Sequence, residues 1–322
     1  MTEDRSVLIA VGGNALIEDG EEGTIEQQAA NAARLAPHVA AITARGWRTV
    51  VTHGNGPQVG FILLRSELVS REARVPVLSL EMCVADSQGG IGHLLTSALS
   101  TQLAQRGLVD RVAYLLTHTV VDPEDPAFAH PTKPIGPAYE AAEAEERRRR
   151  GWVMVEERGR GFRRVVPSPR PRRIVEAEQV RLLLDAGYVV VAAGGGGIPV
   201  AEDAPGVYRG VEAVIDKDHA SAELALALGV RRLVVSTGVE QVALDYGTPR
   251  QRALDELTAT EARRHLDEGQ FPPGSMGPKI EAALTFLERG GEDVIITSPD
   301  ALERAFDGRT GTRIVRDGTG GA

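Results

Sequence analysis

Short apolar runs alternate along the chain with longer segments whose apolar positions recur every three or four residues. The runs are SVLIAVGG (6–13), WRTVVTHGNGP (47–57), RVAYLLTHTVV (111–121), YVVVAAGGGG (188–197), RRLVVSTGV (231–239) and EDVIITSP (292–299). Between them, the spacing predicts helices over TIEQQAANAARLAPHVAAITARG (24–46), ADSQGGIGHLLTSALSTQLAQR (85–106), EAEQVRLLLDAG (176–187), DHASAELALALG (218–229) and KIEAALTFLERGG (279–291). Runs such as VVVAA and LVVS are apolar on both sides, which suits interior strands of a parallel sheet covered by helices on each face. The alternation therefore predicts an α/β fold, an αβα sandwich around a mainly parallel open sheet. In such sheets ligands lie beyond the carboxyl ends of the strands, where these glycines fall.

One stretch breaks the alternation. Residues 122–171 are rich in proline and charge and poor in apolar helical pattern, and some fifty residues are too many for a simple loop. We read an inserted subdomain, 122–171, set into a core made of 1–121 and 172–322. It should carry a small helix and a hairpin in VMVEERGRGFRRVV (153–166). An insert over one end of the sheet is placed to act as a lid.

Composition narrows the class. With 322 residues, 42% hydrophobic and 25% charged, the chain can bury a large core as one big α/β domain or two smaller ones. The single cysteine, Cys83, has no thiol to pair with; it reads as a small buried hydrophobe and points to a reducing cytoplasm. The opening MTEDRSVLIAVGG does not resemble a secretory leader, and no apolar run approaches the roughly 18 residues of a membrane helix. A net charge of −9 argues against wholesale nucleic-acid binding. Yet 147–173 holds eleven arginines against two glutamates, which reads as a solvated face or a partner of local acidic surface ahead of an RNA-binding arm.

Four consecutive glycines, 194–197, cost backbone entropy unless something needs bare backbone there. The chain lacks GxxxxGK[ST], the spacing in HGNGPQVG (53–60) is not GxGxxG, and HExxH, CxxC and GxSxG are absent. What remains is three glycine loops, each after a strand: Gly12 to Leu16, His53 to Pro57 and Gly194 to Gly197. At equivalent strand ends they point to one shared anion pocket. Lysine is scarce beside arginine, and Lys133 in HPTKPIGP, Lys217 in VIDKDHAS and Lys279 in GSMGPKIEAA stand at helix starts or among prolines and glycines. A compact ammonium there suits point contact with phosphate.

The segments IAVGGNAL, VTHGNGPQVG, VVDPEDPAFAHPTKPIGPAY, GRGFRRVVPSPRP, AAGGGGIPV, GVEAVIDKDHASAELA and GSMGPKIEAA together resemble the carbamate kinases of the amino acid kinase superfamily, nearly end to end. The resemblance implies a homodimer with a protruding subdomain at the insert. It also implies phosphoryl transfer between MgATP and carbamate, giving ADP and carbamoyl phosphate, with Mg²⁺ carried mainly by the nucleotide phosphates and no protein metal site assigned. A cytoplasmic enzyme of arginine and nitrogen catabolism that makes ATP follows from it, with no nucleic-acid or membrane partner; a kinase for another small carboxylate-like acceptor is the alternative.

By the same resemblance, Gly12, Gly13, Asn14, Gly54, Asn55 and Gly56 hold the transferring phosphoryl group and the carbamate, with Gly195 and Gly196 as one wall of the pocket. Valine at either of those two is expected to abolish transfer and leave the fold largely intact. Lys133 reaches in from the lid, Lys217 neutralises phosphate charge, and Asp218 orients the lysines, with Asp216 the weaker of the two carboxylates. Lys279, Met276 and Tyr246 belong at the nucleotide, with Ser236, Thr237 and Gly238 along its adenine or ribose. Two departures from the family's pattern stand out. Asp86 and His93 are expected at the dimer interface or the acceptor pocket, and Gly238 and Glu240 are expected to adjust nucleotide preference. Carbamate brings its own anionic oxygen, so no general base is needed, and His53 and His93 read as packing or loop-bonding residues.

Overall fold

The computed structural model describes residues 5–13, 16–18, 20–157 and 161–318. Its central sheet has eight strands, in the order Glu256–Thr258, Thr312–Val315, Asp293–Thr297, Arg232–Ser236, Ser6–Val11, Arg48–His53, Val189–Val191 and Val112–Tyr114. The six from Asp293–Thr297 onward are mutually parallel, and the first two run against them. Ser6–Val11 is buried along its whole length. Its Val7, Ile9 and Val11 share a core with Leu35 and Val39 of helix Ile25–Ala44 and with Ile91 and Leu95 of helix Leu80–Ala104. Leu8 and Ala10 face the other way, into a core with Leu184 of helix Ala177–Asp185, Leu224 of helix Lys217–Leu228 and Leu284 of helix Gly277–Glu288. Covered on both faces, such a strand has no polar side to show, which is why it reads as an unbroken apolar run.

RVAYLLTHTVV is not the single strand that its composition suggests. Val112–Tyr114 closes the edge of the central sheet. His118–Val121 enters a separate four-stranded sheet with Pro171–Ile174, Ile198–Ala204 and Val207–Gly210. The break falls at Thr117, whose amide donates to Gln88 Oε1 and whose carbonyl accepts from Gln88 Nε2, both at 3.0 Å. A buried side chain from helix Leu80–Ala104 thus replaces the ladder where the chain changes sheets. The four glycines make the matching crossing, between Val189–Val191 in the first sheet and Ile198–Ala204 in the second.

Within the stretch read as an insert, Lys133–Tyr139, Gly161–Val166 and Met154–Glu157 form an antiparallel three-stranded sheet with helix Ala141–Arg149 beside it. The turn of the 153–166 hairpin lies outside the described residues. Much of the arginine charge is matched at home. Arg147 lies over the Tyr139 ring (3.9 Å) and Arg164 over Trp152 (4.2 Å), while Arg164, Arg163 and Arg173 pair with Glu67, Glu157 and Glu202. The sheet seats on helix Gly56–Glu72, which the sequence reading did not anticipate. There Gly60 meets Gly136 so closely that a Cβ on Gly60 would overlap the Gly136 backbone. No helix among the described residues is long and apolar enough to cross a membrane.

Candidate active site

Three neighbouring strands, Ser6–Val11, Arg48–His53 and Val189–Val191, each end in one of the glycine loops, so parallel pairing alone lays the loops side by side. They are then packed to backbone contact. Gly54 N donates to the Val11 carbonyl (3.0 Å), and a Cβ on Gly54 would sit 2.9 Å from Gly13 N and 3.2 Å from Lys217 Cδ. Gly12 N donates to Ser236 O (3.0 Å), and a Cβ on Gly56 would lie 3.2 Å from the carbonyl of Pro134, next to Lys133. Asn55 donates to Ser87 Oγ (2.8 Å) from helix Leu80–Ala104. Asn14 lies outside the described residues.

The Gly194–Gly197 turn faces protein on every side. Added Cβ atoms would overlap His53 at Gly194, Asn55 at Gly195 and Thr119 at Gly197, and would come within 2.7 Å of the Ile215 carbonyl at Gly196. Gly195, Gly196 and Gly197 also take φ values of +64°, +86° and +87°, which side chains rarely adopt. The expectation that valine at Gly195 or Gly196 would spare the fold is therefore overturned. The run is bare because the crossing between sheets is close-packed.

The chain contains three lysines, and all three ammoniums meet on two carboxylates. Asp216 caps helix Lys217–Leu228, accepting from Asp218 N (2.8 Å) and His219 N (3.4 Å), and its other oxygen accepts from Lys133 Nζ at 2.5 Å. Asp218 takes Lys217 on one oxygen and Lys279 Nζ on the other, at 3.3 Å. Asp216, ranked second by the sequence, thus holds the lysine that arrives from the insert. Burial by itself would raise both carboxyls. Lys133 and His219 outweigh it at Asp216, and Lys217 and Lys279 at Asp218, so both lie below the usual carboxylate range. Burial lowers the pKa of the Lys217 ammonium, and Asp218 pulls the other way. The result is a dense cluster at a helix start, in which three ammoniums face two carboxylates, bordered by glycine loops whose geometry suits an anion.

The expected nucleotide residues are more dispersed. Met276 is the N-cap of helix Gly277–Glu288, and Lys279 Nζ donates to Ser275 O (3.0 Å). Ser236 is fully buried at its strand end, and Thr237 N donates to Thr297 O (2.7 Å). Gly238 has open space around it and Tyr246 is 60% exposed. Asp86 and His93 are exposed on helix Leu80–Ala104. Glu240 is tied to Arg304 (3.2 Å) and Thr310 (2.5 Å).

Ser87 and Gln88 escaped the sequence reading; both are buried polar positions in a helix, and Gln88 also donates to Gly194 O (3.0 Å). His53 is buried, with Nδ1 3.1 Å from Gly54 O; its Nε2 and the Tyr114 hydroxyl have no partner among the described residues, and both face the Gly194 α-carbon. Burial pushes His53 down to about 4, so it stands neutral, in keeping with a packing role.

A model of the amino acid kinase family matches residues 5–298. Over 312 residues the chain is 47% identical to the carbamate kinase-like protein YahI of Escherichia coli K12, covering 96% of this chain and 98% of that one. It is 44% identical to the carbamate kinase of Pyrococcus furiosus, over 97% and 99% of the two chains. Among solved structures, the carbamate kinase of Giardia lamblia bound to citric acid superposes with a TM-score of 0.92 at 37% identity, over 98% of this chain and all of that one. The same enzyme bound to AMP-PNP gives 0.87 at 38%, with equal coverage.

Proposed function

Because the chain belongs to the amino acid kinase family, we propose that it is a carbamate kinase, transferring a phosphoryl group reversibly between ATP and carbamate to give ADP and carbamoyl phosphate. The observation that carries this reading is the gathering of every lysine onto Asp216 and Asp218 beside three glycine loops. Phosphoryl transfer asks mainly for positioning and charge neutralisation. In the forward direction a carbamate oxygen bonds to the γ-phosphorus as the bond to the bridging β,γ oxygen breaks, and ADP carries away the electron pair. Gly12, Gly13 and the Gly54–Gly56 loop would hold the transferring group on backbone N–H donors. Lys217 would neutralise it, and Lys133 and Lys279 would reach it from the insert and the nucleotide side. Asp216 and Asp218 would hold the ammoniums in place until phosphate oxygens compete for them.

Mg²⁺ fits as a cation carried by the nucleotide phosphates. The two aspartates already face ammoniums, and among the described residues no group of three or more His, Cys, Asp or Glu is placed to cage a metal. When bound, it would neutralise non-bridging phosphate charge. Met276, Tyr246 and the Ser236–Gly238 stretch are proposed to border the nucleotide. Residues 122–171 are proposed as a lid subdomain, and two chains as the working assembly. A reducing cytoplasm suits a buried lone Cys83, and within arginine and nitrogen catabolism the reaction would make ATP.

The deciding assay is ATP formation from carbamoyl phosphate, ADP and Mg²⁺. No ATP from carbamoyl phosphate, with ATP formed from another acyl phosphate, would transfer the assignment to a kinase for a different small carboxylate. That second reading is favoured by one observation, the 47% identity to a protein named only carbamate kinase-like.

A further inference from the structure

Lys133 is not positioned by its own strand alone. Its register partner is Val166, and Thr132 N donates to the Val166 carbonyl at 3.2 Å. From Val166 the chain leaves this sheet through Pro167, Ser168, Pro169 and Arg170. Two prolines fix φ in that exit, and the Pro167 carbonyl accepts from Val214 N (2.9 Å), two residues before Asp216. A stiff, tethered segment of this kind transmits position.

Arg170 anchors its far end. The Arg170 amide donates to Asp125 Oδ2 (3.0 Å). Its guanidinium donates to Glu281 (2.5 Å) on helix Gly277–Glu288 and lies against both ring nitrogens of His219 on helix Lys217–Leu228, with Nδ1 at 2.8 Å and Nε2 nearer still. His219 Nε2 lies 3.5 Å from Glu281, closing a three-cornered contact. The His219 hydrogen bond and Arg170 together outweigh burial and hold the Glu281 carboxyl down at about 2. The two helices gripped here are the ones whose first turns carry Lys217 and Lys279.

We propose that Arg170, clasped between Glu281 and His219, is a positioning residue for Lys133. It fixes the exit of the 133–166 sheet to the helices bearing Lys217 and Lys279, so that all three ammoniums address one phosphoryl group. This rests on the carbamate kinase reading of the site. Arg170 and Glu281 are 59% and 36% exposed, and ion pairs this open add little stability. Their effect falls on geometry, where a displacement on the order of 1 Å costs up to about a hundredfold in rate.

The test uses the full chain with Arg170→Ala, Glu281→Gln, and the swap of Arg170→Glu with Glu281→Arg. ATP formation from carbamoyl phosphate and ADP is measured beside melting temperature and amide hydrogen exchange in residues 133–139 and 161–166. Both single variants are expected to lose about ten- to a hundredfold in kcat with KM for ADP near wild type. Melting temperatures should stay within a few degrees, exchange in both strands should quicken, and the swap should recover most of the kcat. Wild-type kcat and exchange in the single variants overturn the proposal. So does a loss of kcat that merely follows melting temperature and is not recovered by the swap. Should Arg170→Ala fail to fold, Arg170→Lys, which keeps the charge and loses the fork, carries the same comparison. A wild-type chain that makes no ATP overturns the carbamate kinase reading instead, and the exchange data still decide the clasp.

Discussion

Lys133 and Lys217 do related work in different surroundings, and their removal should separate accordingly. Lys133 is partly exposed, and its Asp216 partner keeps two backbone donors. We predict that Lys133→Ala folds with near wild-type stability and loses at least about a hundredfold in kcat, the usual cost of one positioned donor. Lys217→Ala should lose as much in rate and also destabilise by about 3–5 kcal/mol, because the buried Asp218 gives up its nearer counter-ion. Paired activity and urea-melt measurements check both, and wild-type turnover in either variant removes that residue from the reaction.

His53 makes a separate prediction about acid. Its pKa falls from 6.5 to about 4 on folding, so between those values the unfolded chain binds the proton more readily. The His53 contribution is complete above pH 6.5 and is lost as the pH falls toward 4, amounting to no more than roughly 3 kcal/mol. Asp216 and Asp218, held below the usual carboxylate range, act in a lower window, losing their contribution only below the ordinary aspartate pKa of 3.8. Melting curves from pH 7 to pH 4.5 should drop in the wild type and flatten in His53→Gln; parallel slopes would remove His53 as the cause.

At the scale of elements, the contact of helix Gly56–Glu72 with strand Lys133–Tyr139 is the one to disturb. Alanine inside a helix ordinarily stabilises by roughly 0.5–1 kcal/mol over glycine. Gly60→Ala should do the opposite here, because its Cβ must displace the Gly136 backbone and the strand that begins with Lys133. We expect helical circular dichroism to be retained and kcat/KM for carbamoyl phosphate to fall, with Gly60→Ser behaving alike. Full activity in both would mean that the sheet can lift without consequence.

Elements also mark where the sequence was legible. Strands buried on both faces announce themselves, as Ser6–Val11 does, and so do helices with a long apolar stripe. The split of RVAYLLTHTVV was not legible, because a glutamine 29 residues away makes it. Helix Gly56–Glu72 hides behind its own glycine start. Within the site, the lysines could be read from their scarcity and company. The pairing of Lys133 with Asp216 spans 83 residues and that of Arg170 with Glu281 spans 111, and local pattern carries no trace of either.

At the scale of the whole molecule, one short part of the sequence leaves several apolar side chains exposed. Leu68 and Val69 near the end of helix Gly56–Glu72, Val75 and Val77 in the link that follows, and Met82 in the first turn of helix Leu80–Ala104 are 46–52% exposed. Exposed apolar side chains this near one another in sequence suit an association surface, and we predict that the proposed dimer closes there. Light scattering should give the mass of two chains, and Val77→Asp with Met82→Asp should halve it; a wild-type monomer would end the dimer reading.

The lysine count has a practical outcome. Most proteins scatter amines over their surface, so an acylating reagent reports little about any one place. Here, apart from the chain terminus, the amines are Lys133, Lys217 and Lys279, with side chains 23%, 9% and 14% exposed. Side-chain amine labelling, whether by a probe in the laboratory or by an acetyl donor in a cell, would be a reading of this single pocket, and bound nucleotide should slow it.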